Sequence, residues 1–276
     1  MSLLSRFRVP RVGLQPRELD ARDPQLIARM ADLVSKTIVR YHRAEVRGVE
    51  RVPAGGALYV GNHNSWAYTP DTVIFCDAVY RAHGVSAVPR GLAHSLPMKV
   101  PLLGPLLLRI GAVQANHGNA EALLARGDKV LVYPGGDVEA ARPFRKRHQI
   151  DFDGRRGYVR LALRAKVPIV PVVAAGAHAT TIVIDDLRWL ASLLGVDKLF
   201  RLKVWPLTLS FPLGLTLGPL PLFIPFPTRI LVELLEPITF ERGGERAAAD
   251  DAYVRACADR VEATMQSALT RLASEL

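Results

Sequence analysis

The stretch GNHNSWAYTPD, Gly61 to Asp71, sets His63 in a short polar loop and an aspartate eight positions later. Histidine is the side chain whose ordinary pKa suits proton abstraction near neutral pH. Such a base works best when a carboxylate fixes its tautomer and orientation. Asp71 is the nearest carboxylate downstream, and the seven intervening residues leave room for the chain to turn back. From these residues alone two readings stand: a catalytic base with its orienting acid, or a structural histidine in a loop. A second stretch, VYPGGDVEAARPFRKR from Val132 to Arg147, ends a strand at Tyr133-Pro134-Gly135-Gly136. Two glycines let the backbone come close to a ligand and aim N–H groups at an anion or a developing oxyanion. Glu139 follows within reach of a bound hydroxyl. The other reading is a plain turn beside a solvated, charged face.

Other chemistries lack their residues. There is no G-x-S-x-G elbow, no H-E-x-x-H, no phosphate-binding G-x-x-x-x-G-K-[ST] and no G-x-G-x-x-G. The two cysteines, Cys76 and Cys257, have no metal-ligand spacing, so no metal and no cofactor is expected, and a reducing cytoplasm suits them. A direct transfer, with His63 activating a hydroxyl, fits these absences.

The elements that must position these groups alternate. An amphipathic helix is expected over 24–43, from the spacing of Leu26, Met30, Leu33, Val34, Ile38 and Tyr41. GALYVGNH reads as a buried strand feeding the His63 loop. Thr69-Pro70-Asp71 reads as a helix start, with Thr69 as cap. VSAVPRG and IGAVQAN read as short strands, NAEALLARG as a helix, KVLVYPGG as a strand, GYVRLALRA as a helix, and VPIVPVVAAG and RILVELLEPI as strands. From Asp251 the apolar residues keep helical spacing to Leu276. The expected fold is α/β: a single domain over 1–276, with a mixed, mostly buried β-sheet flanked by helices and amphipathic helices at both ends. Apolar strand runs without alternation point to a sheet covered on both faces.

The 276 residues carry a net charge of +10, and 49% are hydrophobic. The mean hydropathy is +0.14 and the pI about 10.0. A basic and rather apolar chain suggests an anionic partner. The charge is local: Arg142 to Lys166 holds nine Lys/Arg against two Asp. The segment 204–227 runs 24 residues without a charge but contains six prolines. Interior proline costs a helix about 3 kcal/mol or more, so an extended or broken apolar flap is expected, resting on the core or in a membrane interface. The N-terminal residues have no apolar core of signal-peptide length, so no export is expected.

VGNHNSWAYTPD, VPLLGPLLLRIGAVQAN, VYPGGDVEA and RRGYVRLALRAKVPIVPVV, four blocks in order between 56 and 176, resemble the glycerolipid acyltransferase superfamily. That superfamily includes the lysophosphatidate acyltransferases and a diacylglycerol acyltransferase-like branch. The resemblance implies transfer of a fatty acyl group from acyl-CoA or an acyl carrier protein to a lipid hydroxyl. It places His63 as catalytic base, Asp71 as its partner and Glu139 as an acceptor-binding residue. Asn62, Tyr133, Pro134, Gly135, Gly136, Arg142, Arg155 and Arg156 are then expected around the substrates, with the basic run meeting CoA phosphates or anionic head groups. Two departures stand out. The family's usual spacing is H-x4-D, three residues shorter than here. His117 stands where an arginine commonly holds the acceptor's phosphate, which leaves a neutral mono- or diacylglycerol acceptor open. The expected partners are an acyl donor, a lipid acceptor and a membrane surface with anionic lipid. The expected location is the cytoplasmic, inner face of the membrane, peripherally bound. No nucleic-acid motif occurs. A non-catalytic lipid carrier, or a lipid hydrolase or thioesterase, would share the apolar and basic segments. A carrier has no use for His63 with Asp71.

Overall fold

The structure is a computed structural model and describes residue 19 and residues 21–65, 68–195, 202–218 and 223–276. Helix α1 (Pro24–Val34) starts at Asp23, whose carboxylate accepts from the N–H groups of Gln25 and Leu26, both at 3.0 Å. This satisfies two of the donors that every helix start leaves open. The helix continues as a π-helical turn, Ser35–Val39. There follow β1 (Glu45–Arg47), β2 (Ala57–Gly61), α2 (Pro70–His83), β3 (Arg90–Ala93), α3 (Ser95–Lys99) and α4 (Leu103–Arg109). Next come β4 (Val113–Gln114), α5 (His117–Ala125), β5 (Lys129–Val132), α6 (Gly136–Ala140), α7 (Gly157–Ala165) and β6 (Ile169–Ala175). The chain ends with β7 (Ile182–Asp185), α8 (Arg188–Leu193), β8 (Leu207–Ser210), β9 (Gly214–Leu217), β10 (Leu231–Leu234), α9 (Glu245–Ala249) and α10 (Asp251–Ala273).

Seven strands form one sheet in the order β1-β10-β6-β2-β5-β3-β4. Strands β6, β2, β5, β3 and β4 run parallel, while β10 is antiparallel to β6 and carries β1 parallel to itself. Both faces are covered, and β2 shows how. Leu58 and Val60 join a core with Leu123, Val159, Leu163, Val261, Met265 and Leu269 of α5, α7 and α10. Ala57 and Tyr59 join the opposite core with Ile74, Phe75 and Val79 of α2. Burying one such side chain contributes about 1.5–3 kcal/mol, so α10 is an integral wall of the fold. The described residues thus form an α/β fold with a mostly parallel central sheet between helices.

Local readings differ in three places. VSAVPRG opens as a 3₁₀ turn, Val85–Ala87, and its strand begins only at Arg90. Thr69 occupies the cap position of α2 but makes no side-chain cap bond; Pro70 alone sets the first turn. Within 204–227 the described residues contain a hairpin, β8–β9, which joins β7 in a separate antiparallel sheet. Among the described residues its prolines, Pro206, Pro212, Pro225 and Pro227, lie outside the strands, where no ladder hydrogen bond is lost.

Candidate active site

The parallel strands end at one edge of the sheet, and three post-strand segments meet there. They are Asn62–Ser65 after β2, Tyr133–Gly136 after β5, and Gly176–His178 after β6. Asn62 extends β2 by proxy. Its Oδ1 accepts from Ala174 N at 2.8 Å and its Nδ2 donates to Ala174 O at 2.9 Å, as a neighbouring strand would. Asn64 Nδ2 donates to Asn62 O at 3.0 Å and to Asp71 Oδ2 at 2.8 Å. Its Oδ1 accepts from Asn62 Nδ2 at 3.0 Å and from Arg142 Nη2 at 2.9 Å. The loop is therefore tied to its own strand, to β6, to α2 and to the chain after α6.

Between the two asparagines, His63 is held by its backbone. Its N–H donates to Glu139 Oε2 at 2.9 Å, and its carbonyl accepts from Arg142 Nη1 at 2.5 Å. Glu139 is 0% exposed and Arg142 is 2% exposed. Arg142 also donates to Glu139 O at 2.7 Å, Lys146 O at 3.2 Å and Arg147 O at 2.9 Å. The His63 ring is half-buried and makes no hydrogen bond among the described residues. It lies against Tyr133, with centroids 4.8 Å apart. Tyr133 is fixed in turn by a 2.5 Å bond between its hydroxyl and that of Thr72. A Cβ on Gly61 would strike the Tyr133 ring, so glycine at the end of β2 is what admits this packing.

These contacts change several expected roles. Asp71 is buried and bonded to Asn64 instead of His63, because α2 starts far enough along that Asn64 lies between them. Its Oδ1 is buried with no hydrogen-bond partner among the described residues. Glu139 faces no open space; its Oε1 accepts from Asp151 N at 3.5 Å, and both oxygens serve backbone donors. Asn62 and Arg142 are likewise buried away from any substrate. Gly136 donates its N–H to Tyr133 O at 3.1 Å, so that group is spent in the turn and cannot serve an oxyanion. The glycine pair has a steric reason: a Cβ on Gly135 would collide with the Glu139 carboxylate, and one on Gly136 with the Arg155 guanidinium. Arg155 donates to Pro134 O at 3.1 Å and pairs with Asp137 at 3.3 Å and Asp153 at 3.6 Å. Arg156 is half-buried at the start of α7. The basic run is thus dispersed, with Arg145 and Lys146 on the surface.

His178 has no signal in the sequence, which offers it neither a motif nor a regular spacing. It is buried, and its ring nitrogens contact Asn64 O at 2.8 Å and Arg142 O at 2.9 Å. A neutral imidazole donates through one nitrogen only. Burial, and then Arg142, push this ring down to about 3, so the neutral form holds one carbonyl at a time. His42 is a second buried histidine; its Nδ1 contacts Thr228 O at 3.1 Å and its Nε2 the Tyr68 hydroxyl at 3.0 Å.

The electrostatics follow from burial. Burial, then the Arg142 charge, lower the His63 imidazole to about 4, with Asp137 opposing. Burial raises the Glu139 carboxyl to about 8, with Arg142 and the His63 and Asp151 N–H groups opposing. Burial also raises Asp71, with the Asn64 bond opposing. At neutral pH the site presents an unprotonated imidazole on a rigid loop, which can accept a proton from a hydroxyl.

Residues 43–175 match the family model described as Acyltransferase. An uncharacterized protein of Mycobacterium tuberculosis is 31% identical over 232 residues, 84% of this chain and 62% of that protein. The chain therefore spans less than two thirds of the length of that relative. The mouse DGAT1/2-independent enzyme synthesizing storage lipids is 29% identical over 132 residues, 48% of this chain and 39% of the enzyme. The crystal structure of the 1-acyl-sn-glycerophosphate acyltransferase PlsC from Thermotoga maritima aligns with TM-score 0.56 and 16% identity, covering 94% of this chain and 83% of that one. At that identity the likeness is one of fold.

Proposed function

We propose that the chain, whose residues 43–175 match the Acyltransferase family model, moves a fatty acyl group from acyl-CoA or an acyl carrier protein to a glycerolipid hydroxyl, with His63 as general base. The observation that carries this reading is the unbonded His63 ring on a loop whose backbone N–H and carbonyl are both fastened. A merely structural histidine would spend its ring in the network, as His178 does.

In the reaction, His63 takes the proton of the acceptor hydroxyl. The oxygen attacks the thioester carbonyl, and a C–O bond forms. The C–S bond then breaks, and the leaving thiolate receives the proton from the imidazolium. Asp71 acts one step back from the ring, by holding Asn64 and with it the loop that carries His63. Glu139 and Arg142 act as positioning residues. The test is labelled acyl-CoA offered with lysophosphatidate, monoacylglycerol and diacylglycerol as acceptors. A labelled glycerolipid product supports the reading, and the accepted lipid identifies the substrate. Free fatty acid as the sole product would replace it with hydrolysis.

The lowered His63 pKa has a measurable consequence. The neutral imidazole is the active form, so kcat/KM is expected to hold as pH falls through 6.5 and to drop only toward about 4. An acid limb centred at 6.5 or above contradicts the assignment of His63 as the base beside the Arg142 cation.

Peripheral attachment to an anionic bilayer is supported by an inverted hairpin. On β8 and β9 the polar Thr208 and Ser210 are buried, while Leu209, Leu215 and Leu217 face outward, with Leu209 directly opposite Leu215. Phe211, Leu213 and Ile224 extend this face, and Trp189, Leu193 and Leu194 of and just after α8 are also exposed. The 3₁₀ turn carrying Arg145 and Lys146 packs on β7, at the edge of the same sheet. A basic fringe beside an apolar face suits anionic lipid better than an uncharged protein groove. No helix among the described residues is long and apolar enough to cross a membrane. Changing Leu209, Leu215 and Leu217 together to serine is expected to weaken partition onto phosphatidylglycerol vesicles at least tenfold. The basis is that burying one leucine contributes about 1.5–3 kcal/mol. Added salt is expected to weaken wild-type binding as well. Co-sedimentation that ignores both changes would remove this attachment mode.

A further inference from the structure

A cavity of about 360 Å³ lies at the same sheet edge as the His63 loop. It sits where the end of β6 meets the starts of β1 and β10 and the end of α10. Arg43, Arg147, His148, His178, Thr228 and Arg229 line it, and no Asp or Glu side chain is among the lining residues. Arg229 is compensated from behind by Glu45 at 3.1 Å. Neither Arg43 nor Arg147 forms an ion pair among the described residues. Arg43 spends one N–H on Pro227 O at 3.2 Å, and Arg147 one on Phe144 O at 3.1 Å. A guanidinium has five donors, so most of theirs are uncommitted.

Two further features mark the cavity as built. The Arg147 guanidinium is held over the Phe144 ring, 4.2 Å from its centroid, which fixes its plane before any ligand arrives. Arg43 has φ 45°, the left-handed turn that ends the first helical segment, where the Ala44 N–H bonds the Val39 carbonyl at 2.9 Å and sets where the side chain leaves the backbone. Cationic side chains that share a cavity with no Asp or Glu side chain in its wall favour an anion there. Planar guanidinium forks match phosphoryl oxygens in particular.

We propose that this cavity binds a phosphoryl group, borne by a soluble molecule or by a lipid head group, at a site separate from His63. Its volume is near the lower end of ligand pockets, roughly 300–1,000 Å³. It therefore takes the charged group and leaves a larger ligand's remainder outside. His178 forms part of its wall and also contacts Asn64 O and Arg142 O, so the cavity and the His63 loop share a support. The proposal does not rest on the acyl-transfer reading, because binding alone reports on it.

The experiment is calorimetric titration of the full chain with inorganic pyrophosphate at low salt. Saturable binding at one site is expected, weakened at least tenfold by Arg147→Ala and by Arg43→Gln, with circular dichroism unchanged. Arg43→Gln keeps an amide N–H for the Pro227 carbonyl, so it tests the charge even if Arg147→Ala fails to fold. Displacement of pyrophosphate by coenzyme A in solution assigns the site to a soluble phosphorylated ligand. Displacement only by phosphatidate in detergent micelles assigns it to a lipid head group. Absence of saturable pyrophosphate binding to the wild type overturns the proposal, as does unchanged affinity in folded Arg43→Gln.

Discussion

Replacing His63 with alanine is expected to lower acyl transfer by roughly 10²–10⁴-fold, the usual contribution of a positioned general base, while leaving the fold intact. Retention of the fold follows from the way the loop is held. Glu139 grips the His63 N–H and Arg142 its carbonyl, and alanine keeps both groups. The ring itself gives up only its contact with Tyr133 and no hydrogen bond. The measurement is kcat/KM with labelled acyl-CoA, beside a thermal melt of the same preparation. Near-normal turnover in a protein that melts like the wild type would remove His63 from the chemistry. Loss of turnover with a collapsed melting curve would show that the ring is structural after all.

Arg142→Met is expected to do the opposite: it damages the fold first and activity as a consequence. The substitution keeps much of the side-chain volume but removes donors to five oxygens, those of His63, Asn64, Glu139, Lys146 and Arg147. It also leaves Glu139 buried without its cation. Leaving a buried oxygen without its donor costs about 1–3 kcal/mol each, and several are left so. In a chain of this size that is a fall in Tm on the order of 10 °C or more. The pH dependence has a definite sign. The folded Glu139 carboxyl titrates near 8, above its ordinary value of 4.5. The folded state therefore binds more protons than the unfolded one between those limits. Its contribution is fully present below 4.5 and is lost as pH rises through about 8. Arg142 opposes that rise, so the variant's deficit is expected to widen from pH 6 to pH 9. Chemical denaturation at the two pH values checks this; a deficit that shrinks toward alkaline pH contradicts the placement of Arg142 against Glu139.

The parts of this molecule that were legible beforehand are those set by neighbours in sequence. The apolar runs ALYVG, KVLV and IVPVVAA are strands because each is short, β-branched and bounded by turn residues. Their lack of alternation told correctly of a sheet covered on both faces. Proline at position 70 announced the start of α2. The described residues of 204–227 form a hairpin, which the prolines hid, because two four-residue strands with apolar residues on the outer side mimic a featureless apolar flap. The inverted pattern becomes visible only once a burial direction exists.

Within the site, the sequence by itself determined that a histidine stands in a loop between a buried strand and a helix, with Asp71, Glu139 and a basic run available. Only the tertiary structure decided what each of these touches. Asp71 meets Asn64, Glu139 meets the backbone of His63, and Arg142 turns inward to collect five carbonyl or amide oxygens. The reason is physical. Spacing along a chain sets backbone direction over a turn or two. The partner of a buried charge, by contrast, is chosen by the cost of leaving it unpaired, and that cost depends on which groups the folded sheet edge brings together from β2, β5 and β6.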